Sequence, residues 1–458
     1  MSSRVAVCAD VGSTFTKVAA VDLDNATVLA SAACRTTVDS DVLVGLDLAV
    51  EAVVASGSGG ADLRTLDVCS SAGGGLRLAV VGYEQLVTAE AGHRVGLSAG
   101  AHVVHVAAGR LDRSGVDALR AARPEVVLLV GGTDGGEVEV LLHNAGLLAT
   151  ARLRVPVVVA GNVDGRDAAM AVLVARGVPA IATENVLPRI GELRPLPARA
   201  AIRNVFLRHV IGGKRLSRGP RFASLVRGAT PDVVLTAVEL FADEVAGDLL
   251  VVDVGGATTD VYSVLHADPE APVDRDVAGT LWHSRTVEGD LGMRSGAPGV
   301  VAAAATERLL DPAEASWLDA AARVRADDPA YLPVTETDQR AEIRIAQLAM
   351  VIAVRRHARG VPAMTGTDRS NRGRRDLRRV RLLIGSGGVL RHAPAPVAAT
   401  ILHSVLSDHA GGWALPQAAS PVVDIDYLLA PAGLLAAAHP ATARTLLRRL
   451  LPAEILDC

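Results

Sequence analysis

The feature that most constrains this chain is the stretch Asp248-Leu-Leu-Val-Val-Asp-Val-Gly-Gly-Ala-Thr-Thr-Asp-Val-Tyr-Ser-Val264. An apolar strand, Leu249 to Val252, runs into Asp253, turns through Gly255 and Gly256, and leaves as a second strand after Asp260. Two residues without Cβ atoms let backbone N–H groups approach an anion closely, and the hydroxyls of Thr258 and Thr259 add donors. An aspartate at the strand end can then hold magnesium or its waters. Alone, the stretch would be an ordinary hairpin closed by a Gly-Gly turn. A second copy at the start of the chain overturns that reading. Arg4-Val-Ala-Val-Cys-Ala-Asp-Val-Gly-Ser-Thr-Phe-Thr-Lys-Val-Ala-Ala-Val-Asp22 puts Asp10 in the place of Asp253 and Gly12 in that of Gly255. Ser13 and Thr14 supply hydroxyls, and the returning strand runs from Lys17 to Val21. Two such hairpins about half a chain apart imply an internal duplication.

A third element, Arg381-Leu-Leu-Ile-Gly-Ser-Gly-Gly-Val-Leu390, is a buried-type strand broken by Gly385, Gly387 and Gly388, which would let a flat base lie against the backbone. In order and spacing the set resembles the phosphate-1, phosphate-2 and adenosine motifs of the actin, sugar-kinase and Hsp70 ATPase superfamily. The resemblance implies an α/β fold of two ribonuclease H-like halves, with ATP and Mg²⁺ in the cleft between them. Asp10 and Asp253 would organise the metal and act in catalysis. Gly12, Ser13, Thr14, Thr16 and Lys17 would meet the phosphates together with Gly255, Gly256, Thr258 and Thr259, and Gly385, Gly387 and Gly388 the adenosine.

Length and composition agree with such a protein. A chain of 458 residues has room for roughly two or three domains. Half the residues are hydrophobic and the mean hydropathy is +0.32. Yet the apolar runs are short and broken by Gly, Pro or Asp, none approaching the span of about 20 residues that a bilayer needs. Asp10 interrupts the only apolar run near the N-terminus, so no secretory signal is expected. Cys8, Cys34, Cys69 and Cys458 are too scattered for a metal or disulfide framework, which points to a reduced cytoplasm. A net charge of −4 argues against general nucleic-acid binding. Of the 46 basic residues only Lys17 and Lys214 are lysine. One of the two therefore sits inside the first hairpin, where an ammonium suits a phosphate and an exposed strand lysine would do as well.

In chain order, 1–82 is expected to begin the first half, with a third strand at Ala26–Cys34, a helix at Asp41–Val54 and a strand at Leu66–Cys69. A Gly/Ser-rich turn at 56–60 and the loop Ser70-Ser-Ala-Gly-Gly-Gly75 read as connections. From 83 to 200, helices alternate with strands at Val103–Ala107, Val126–Val130 and Val155–Ala160, the pattern of an inserted parallel α/β module ending in a Pro-rich linker at 188–197. Its loop Gly131-Gly-Thr-Asp-Gly-Gly136 lies at the carboxyl end of a strand, where open α/β sheets bind ligands, so Asp134 and Glu137 could meet a metal or partner. Equally, the glycines permit a tight strand-to-helix passage. Residues 201–247 read as connecting helices and 248–458 as the second half, containing a helix at Ala341–His357 and an arginine-rich stretch at 369–381. An acidic partner could dock on that stretch, or it is a solvated loop. In relatives of the superfamily an acidic or amide residue on the helix before the second hairpin can position the attacking water. Glu239 is the candidate here.

Beyond the central hairpin, Arg285-Thr-Val-Glu-Gly-Asp-Leu-Gly-Met-Arg294 narrows the resemblance. With residues 10–17, 131–136 and 385–388, this string is similar to the glutamate mutase accessory family, called GlmL or MutL and unrelated to the mismatch-repair protein of the latter name. The resemblance covers nearly the whole chain. It implies an ATPase that reactivates an adenosylcobalamin-dependent mutase, most plausibly glutamate (methylaspartate) mutase, by promoting exchange of damaged cobalamin for intact coenzyme. Mutase subunits would be its partners, with no nucleic acid or membrane, and self-association is left open. Glu288 and Asp290 could face the nucleotide or a metal, and capping a glycine-rich loop explains them equally. The alternative is a small-molecule kinase, or a hydantoinase- or oxoprolinase-like ATP-dependent enzyme of the same superfamily. Hydantoinases usually read Gly-Gly-Thr-Phe-Thr-Asp where this chain has Gly-Ser-Thr-Phe-Thr-Lys.

Overall fold

The computed structural model describes residues 4–56, 66–73, 75–245, 247–266, 278, 281–360 and 374–452. Most of the Gly/Ser-rich turn (57–60), the first part of the arginine-rich stretch (369–373) and Cys458 lie outside these residues.

Strands β1 (Val5–Val11), β2 (Phe15–Asp22), β3 (Thr27–Arg35) and β4 (Leu66–Ser70) open the first sheet. β1 and β2 pair antiparallel, as do β2 and β3, while β4 runs parallel to β1. The chain then leaves this sheet to build another. β5 (Leu76–Gly82), β6 (Ala101–Ala108), β7 (Val126–Leu129), β8 (Val157–Val159) and β9 (Ala180–Ala182) form an all-parallel sheet of order β6-β5-β7-β8-β9. β10 (Val226–Ala229) returns to pair parallel with β4, so the first sheet reads β10-β4-β1-β2-β3. The third sheet repeats it. β11 (Asp248–Val254), β12 (Thr259–Val264) and β13 (His283–Glu288) are antiparallel neighbours, with β14 (Val380–Ser386) and β15 (Ser420–Val423) parallel on the far side of β11. The order β13-β12-β11-β14-β15 matches the first sheet strand for strand. This is a duplicated ribonuclease H-like fold with a parallel α/β module inserted in its first half.

Two elements differ from the sequence expectation. β5 belongs to the parallel sheet, so that sheet begins before residue 83, and β10, within the expected connecting helices, completes the first sheet. The Pro-rich linker ends early too: Pro195 and Pro197 open a helix, Pro195–Val205. A proline in a first helical turn lacks only an N–H that would have had no partner.

Side-chain alternation sorts each central strand between two cores. In β1, Val7, Ala9 and Val11 pack on one face with Val42, Leu46, Ala49 and Val53 of the helix Val42–Ala55. Ala6 and Cys8 point the other way, toward the helix Thr230–Val245. In β11, Leu250, Val252 and Val254 face the long helix Glu336–Arg359, while Leu249 and Val251 join Ala6 and Cys8 in the shared core. That inner core is filled by two crossing helices, Thr230–Val245 and Leu429–Leu435. They approach closely at Gly433, where a Cβ would lie 2.1 Å from the Val233 carbonyl oxygen. By the same parity Asp10 follows Ala6 and Cys8, and Asp253 follows Leu249 and Val251, so both project to the inner side. Among the described residues no helix is long and apolar enough to cross a membrane.

Candidate functional site

The two hairpins have the same register. Asp10 opposes Lys17 and Val11 opposes Thr16 in the first; Asp253 opposes Asp260 and Val254 opposes Thr259 in the second. Each turn closes with one hydrogen bond, Gly12 N–H to Phe15 O at 3.1 Å and Gly255 N–H to Thr258 O at 2.9 Å. A Cβ at Gly12 would sit 2.8 Å from Phe15 O and one at Gly255 2.9 Å from Thr258 O, so both turns need glycine. The tips meet: the place a Cβ would take on Gly256 is 3.4 Å from Thr14 Oγ1.

The aspartates are held differently. Asp10 is 4 % exposed. Its Oδ1 accepts from the Thr230 hydroxyl at 2.6 Å and from the Cys69 thiol at 3.6 Å; its Oδ2 accepts from the Tyr427 hydroxyl at 2.5 Å. Lys17 Nζ lies 4.0 Å from Oδ2 and 3.8 Å from the centre of the Tyr427 ring. Asp253 is pushed above the usual carboxylate range, chiefly by burial, with Lys17 opposing and Asp260 and Asp10 adding to the rise. Asp260 occupies the place of Lys17 and pairs with the buried Arg285, Nε at 2.8 Å.

The threonines also diverge. Thr16 is fully buried and shares a 3.0 Å hydrogen bond with Thr36, so it secures the first hairpin to the segment after β3 rather than facing a ligand. Thr259 Oγ1, equally buried, has no hydrogen-bond partner. Opposite Val254 in the ladder, Thr259 points with Val254 and Val261 toward the core of the long helix, away from the inner side to which Asp253 projects, so it does not face a ligand in the cleft either. Ser13 Oγ donates to Ser71 O at 3.3 Å.

The string after β13 braces the second turn. Met293 N–H and Arg294 N–H donate to Gly255 O and Gly256 O at 2.9 and 2.7 Å. Gly292 and Gly296 lie against the backbone of Ala257, where a Cβ would come within 2.5 and 2.4 Å. Arg294 in turn binds Glu342 at 2.9 Å, and Glu342 binds the buried Arg325 at 2.7 Å. Glu288 and Asp290 share Arg356, at 2.9 Å and at 2.7 and 3.0 Å. Burial raises Glu288 even so, whereas for Asp290 burial is outweighed by Arg356, which holds it low.

Of the three glycines at the expected adenosine turn, only Gly388 borders open space. A Cβ on Gly385 would strike Leu390 and Leu402 at 2.7 Å, so this residue admits the core. Gly387, at φ +105°, passes Val254 O so closely that a Cβ would lie 2.2 Å from it. It thereby ties the turn to the second hairpin. After β15, Asp424 accepts the N–H groups of Leu428 and Leu429 at 2.7 and 3.3 Å, and burial raises its carboxyl to about 6.

Glu239 is not brought to the hairpins. It pairs with Arg199 at 2.5 Å and with His283 Nδ1 at 3.2 Å, and His283 stands opposite Val264, at the end of β12 remote from the turn. Burial alone would raise its carboxyl, but His283 and Arg199 hold it low. These neighbours account for its place in the fold. In the inserted module, Asp134 accepts from Asn185 Nδ2 at 2.9 Å and Val163 N–H at 3.1 Å, while Asn162 donates to Gly136 O and Glu137 O. This loop is braced by its own neighbours. Thr230 and Tyr427 are additions that the sequence pattern did not mark, because their relation to Asp10 spans 220 and 417 residues.

Among the described residues no three His, Cys, Asp or Glu side chains form a metal site. The paired glycine turns, with backbone N–H groups at their tips, suit an anion.

The pattern of the family described as MutL protein matches residues 6–451. "Protein MutL" of Clostridium tetanomorphum is 35 % identical over 455 residues, covering 96 % of this chain and 98 % of that one. Among solved structures, the ethanolamine utilization protein EutJ of Carboxydothermus hydrogenoformans aligns at 11 % identity and TM-score 0.29, covering 94 % of this chain and 88 % of that one. Xylulose kinase of Bifidobacterium adolescentis aligns at 11 % and 0.27, covering 94 % and 99 %. Scores this low carry no weight beside the repeated strand order.

Proposed function

This chain belongs to the MutL protein family, and from that premise we propose that it is an ATP-dependent reactivating partner of an adenosylcobalamin-dependent mutase, glutamate mutase in the first instance. The observation that carries the nucleotide half of the reading is the pair of register-matched hairpins, touching at Thr14 and Gly256. Backbone N–H groups of Ser13, Thr14, Gly256, Ala257 and Thr258 would bind the phosphates of ATP. The open flank of Gly388 would admit the adenosine. Magnesium on the phosphates would supply charge neutralisation, with Asp253 orienting its waters.

The crossing helices join the halves, so a ligand that binds both hairpins favours one angle between them. It can do so only through different affinity for the two arrangements. Coupled to a mutase, that rotation would loosen its grip on damaged cobalamin and let intact coenzyme enter. The test is recovery of activity by glutamate mutase that holds cobalamin lacking the adenosyl group, on adding this protein, ATP·Mg²⁺ and fresh adenosylcobalamin. Recovery that needs ATP and is lost in Asp253→Ala supports the proposal. ATP turnover without recovery would overturn the glutamate mutase assignment and favour another client or a small-molecule substrate.

A further inference from the structure

We propose that Tyr427 is a latch on the nucleotide site: its hydroxyl occupies Asp10, and a metal–nucleotide complex engages Asp10 only by displacing it. The inference rests on the reading of the hairpins as a nucleotide cleft. Asp10 is 4 % exposed, and three donors already surround its carboxylate: Thr230 at 2.6 Å and Cys69 at 3.6 Å on Oδ1, and Tyr427 at 2.5 Å on Oδ2. With Lys17 Nζ 4.0 Å from Oδ2 as well, a cation or its waters must compete with these donors for the carboxylate. One donor must leave.

Thr230 and Cys69 are poorly placed to do so. Cys69 lies inside β4, opposite Asp10 in the parallel ladder, and Thr230 begins the first crossing helix directly after β10. Tyr427 differs in both attachment and backbone. It comes from the second half, in the turn between β15 and the second crossing helix, and reaches across to a strand of the first half. Its φ of +56° is left-handed, a conformation that bulky side chains rarely hold without a functional or packing reason. The Asp424 carboxylate fixes this turn by accepting from Leu428 and Leu429 N–H. Two cations lie over the ring, Lys17 Nζ at 3.8 Å and the Arg391 guanidinium at 4.9 Å from its centre. Arg391 also donates to Ile425 O at 2.9 Å, which ties that side of the ring to the same turn. Releasing the hydroxyl therefore opens Asp10 Oδ2 in the first half and removes one tie to the turn that roots the second crossing helix. One contact links the ligand to the hinge.

The variant is Tyr427→Phe, which keeps the ring beside Lys17 and Arg391 and removes only the hydroxyl. Mn²⁺ is titrated into the protein with a non-hydrolysable ATP analogue, bound metal being read by electron paramagnetic resonance. A hydrogen bond to a charged group is strong enough that its removal should tighten metal binding about tenfold or more. A second readout is the near-ultraviolet difference spectrum, since the chain has only 4 tyrosines. Addition of metal and analogue should perturb tyrosine absorption in the wild-type protein and leave Tyr427→Phe unperturbed. Unchanged or weaker Mn²⁺ binding by the variant, with an unchanged urea midpoint, overturns the latch while the nucleotide reading stands. No binding of the analogue by the wild-type protein overturns the nucleotide reading, and the latch with it.

Discussion

Replacing Gly433 by alanine adds a single methyl group at the crossing of the two inner helices. The structure puts that methyl carbon 2.1 Å from the Val233 carbonyl oxygen, 2.8 Å from the carbonyl carbon and 2.8 Å from the Val233 side chain. Real Cβ contacts fall below 3.0 Å almost never, so the helices must part by around 1 Å. The neighbours leave little room for that: Val233, Val234, Leu235, Ala237 and Val238 on one helix, and Leu429, Ala430, Ala432 and Leu434 on the other, are all buried. Overpacking of this kind costs about 1–3 kcal/mol. The intrinsic helix preference of alanine over glycine offsets up to ~1 kcal/mol of that. The assay is urea unfolding followed by circular dichroism, with Gly146→Ala as control. Gly146 lies within the helix Glu139–Thr150, and a Cβ there meets nothing within 4 Å. Alanine should therefore stabilise the control by up to ~1 kcal/mol and destabilise Gly433→Ala. Equal shifts in the same direction would refute the claim that the halves are joined through a close-packed crossing.

Two further outcomes follow from buried charge. Asp424, raised by burial to about 6, holds its proton in the folded protein at pH values where the unfolded chain has lost it. This group therefore favours folding below the ordinary aspartate range, and its contribution falls away as pH rises from about 4 to about 6. Asp424→Asn should flatten the stability profile across that window in urea titrations at several pH values, and an unchanged slope would contradict the assignment. Glu342→Ala leaves Arg325, 1 % exposed, and Arg294 without their shared carboxylate. The expected loss is about 3–5 kcal/mol, together with looser support for the turn at Gly255 and Gly256; a loss under ~1 kcal/mol would show that the network does not brace the site.

The duplication was legible because each hairpin signals locally: an apolar run, an aspartate, glycines and hydroxyls within about a dozen residues. The long helix was legible for a similar reason, and the structure extends it to Glu336, where Thr335 and Asp338 form a capping box. β10 was not legible. Val226-Arg-Gly-Ala229 has neither length nor alternation, and it is a strand only because β4, far back in the chain, offers it an edge. The run Leu76–Gly82 follows directly on a glycine-rich loop, and only the fold shows that it pairs between β6 and β7 in the parallel sheet. Within the site, residue type predicted the turns better than the partners. Thr16 and Thr259 occupy matching positions, and only the fold reveals that Thr36 satisfies one while the other stays unpartnered. Glu239 had the right residue type on the right helix, but one face of that helix looks to Arg199 and His283.

On the proposed function, the two hairpins, half a chain apart, hold one nucleotide between them. The most direct measurement is the binding of a fluorescent ATP analogue with Mg²⁺, for stoichiometry and affinity, to the wild-type protein, Gly12→Val and Gly255→Val. In each variant the Cβ would come within 2.8–2.9 Å of a carbonyl oxygen of its own turn, so each distorts one hairpin and leaves the other intact. The account predicts a single site per chain in the wild-type protein, lost in both variants. Two sites per chain, or a single site that survives either substitution, would contradict it.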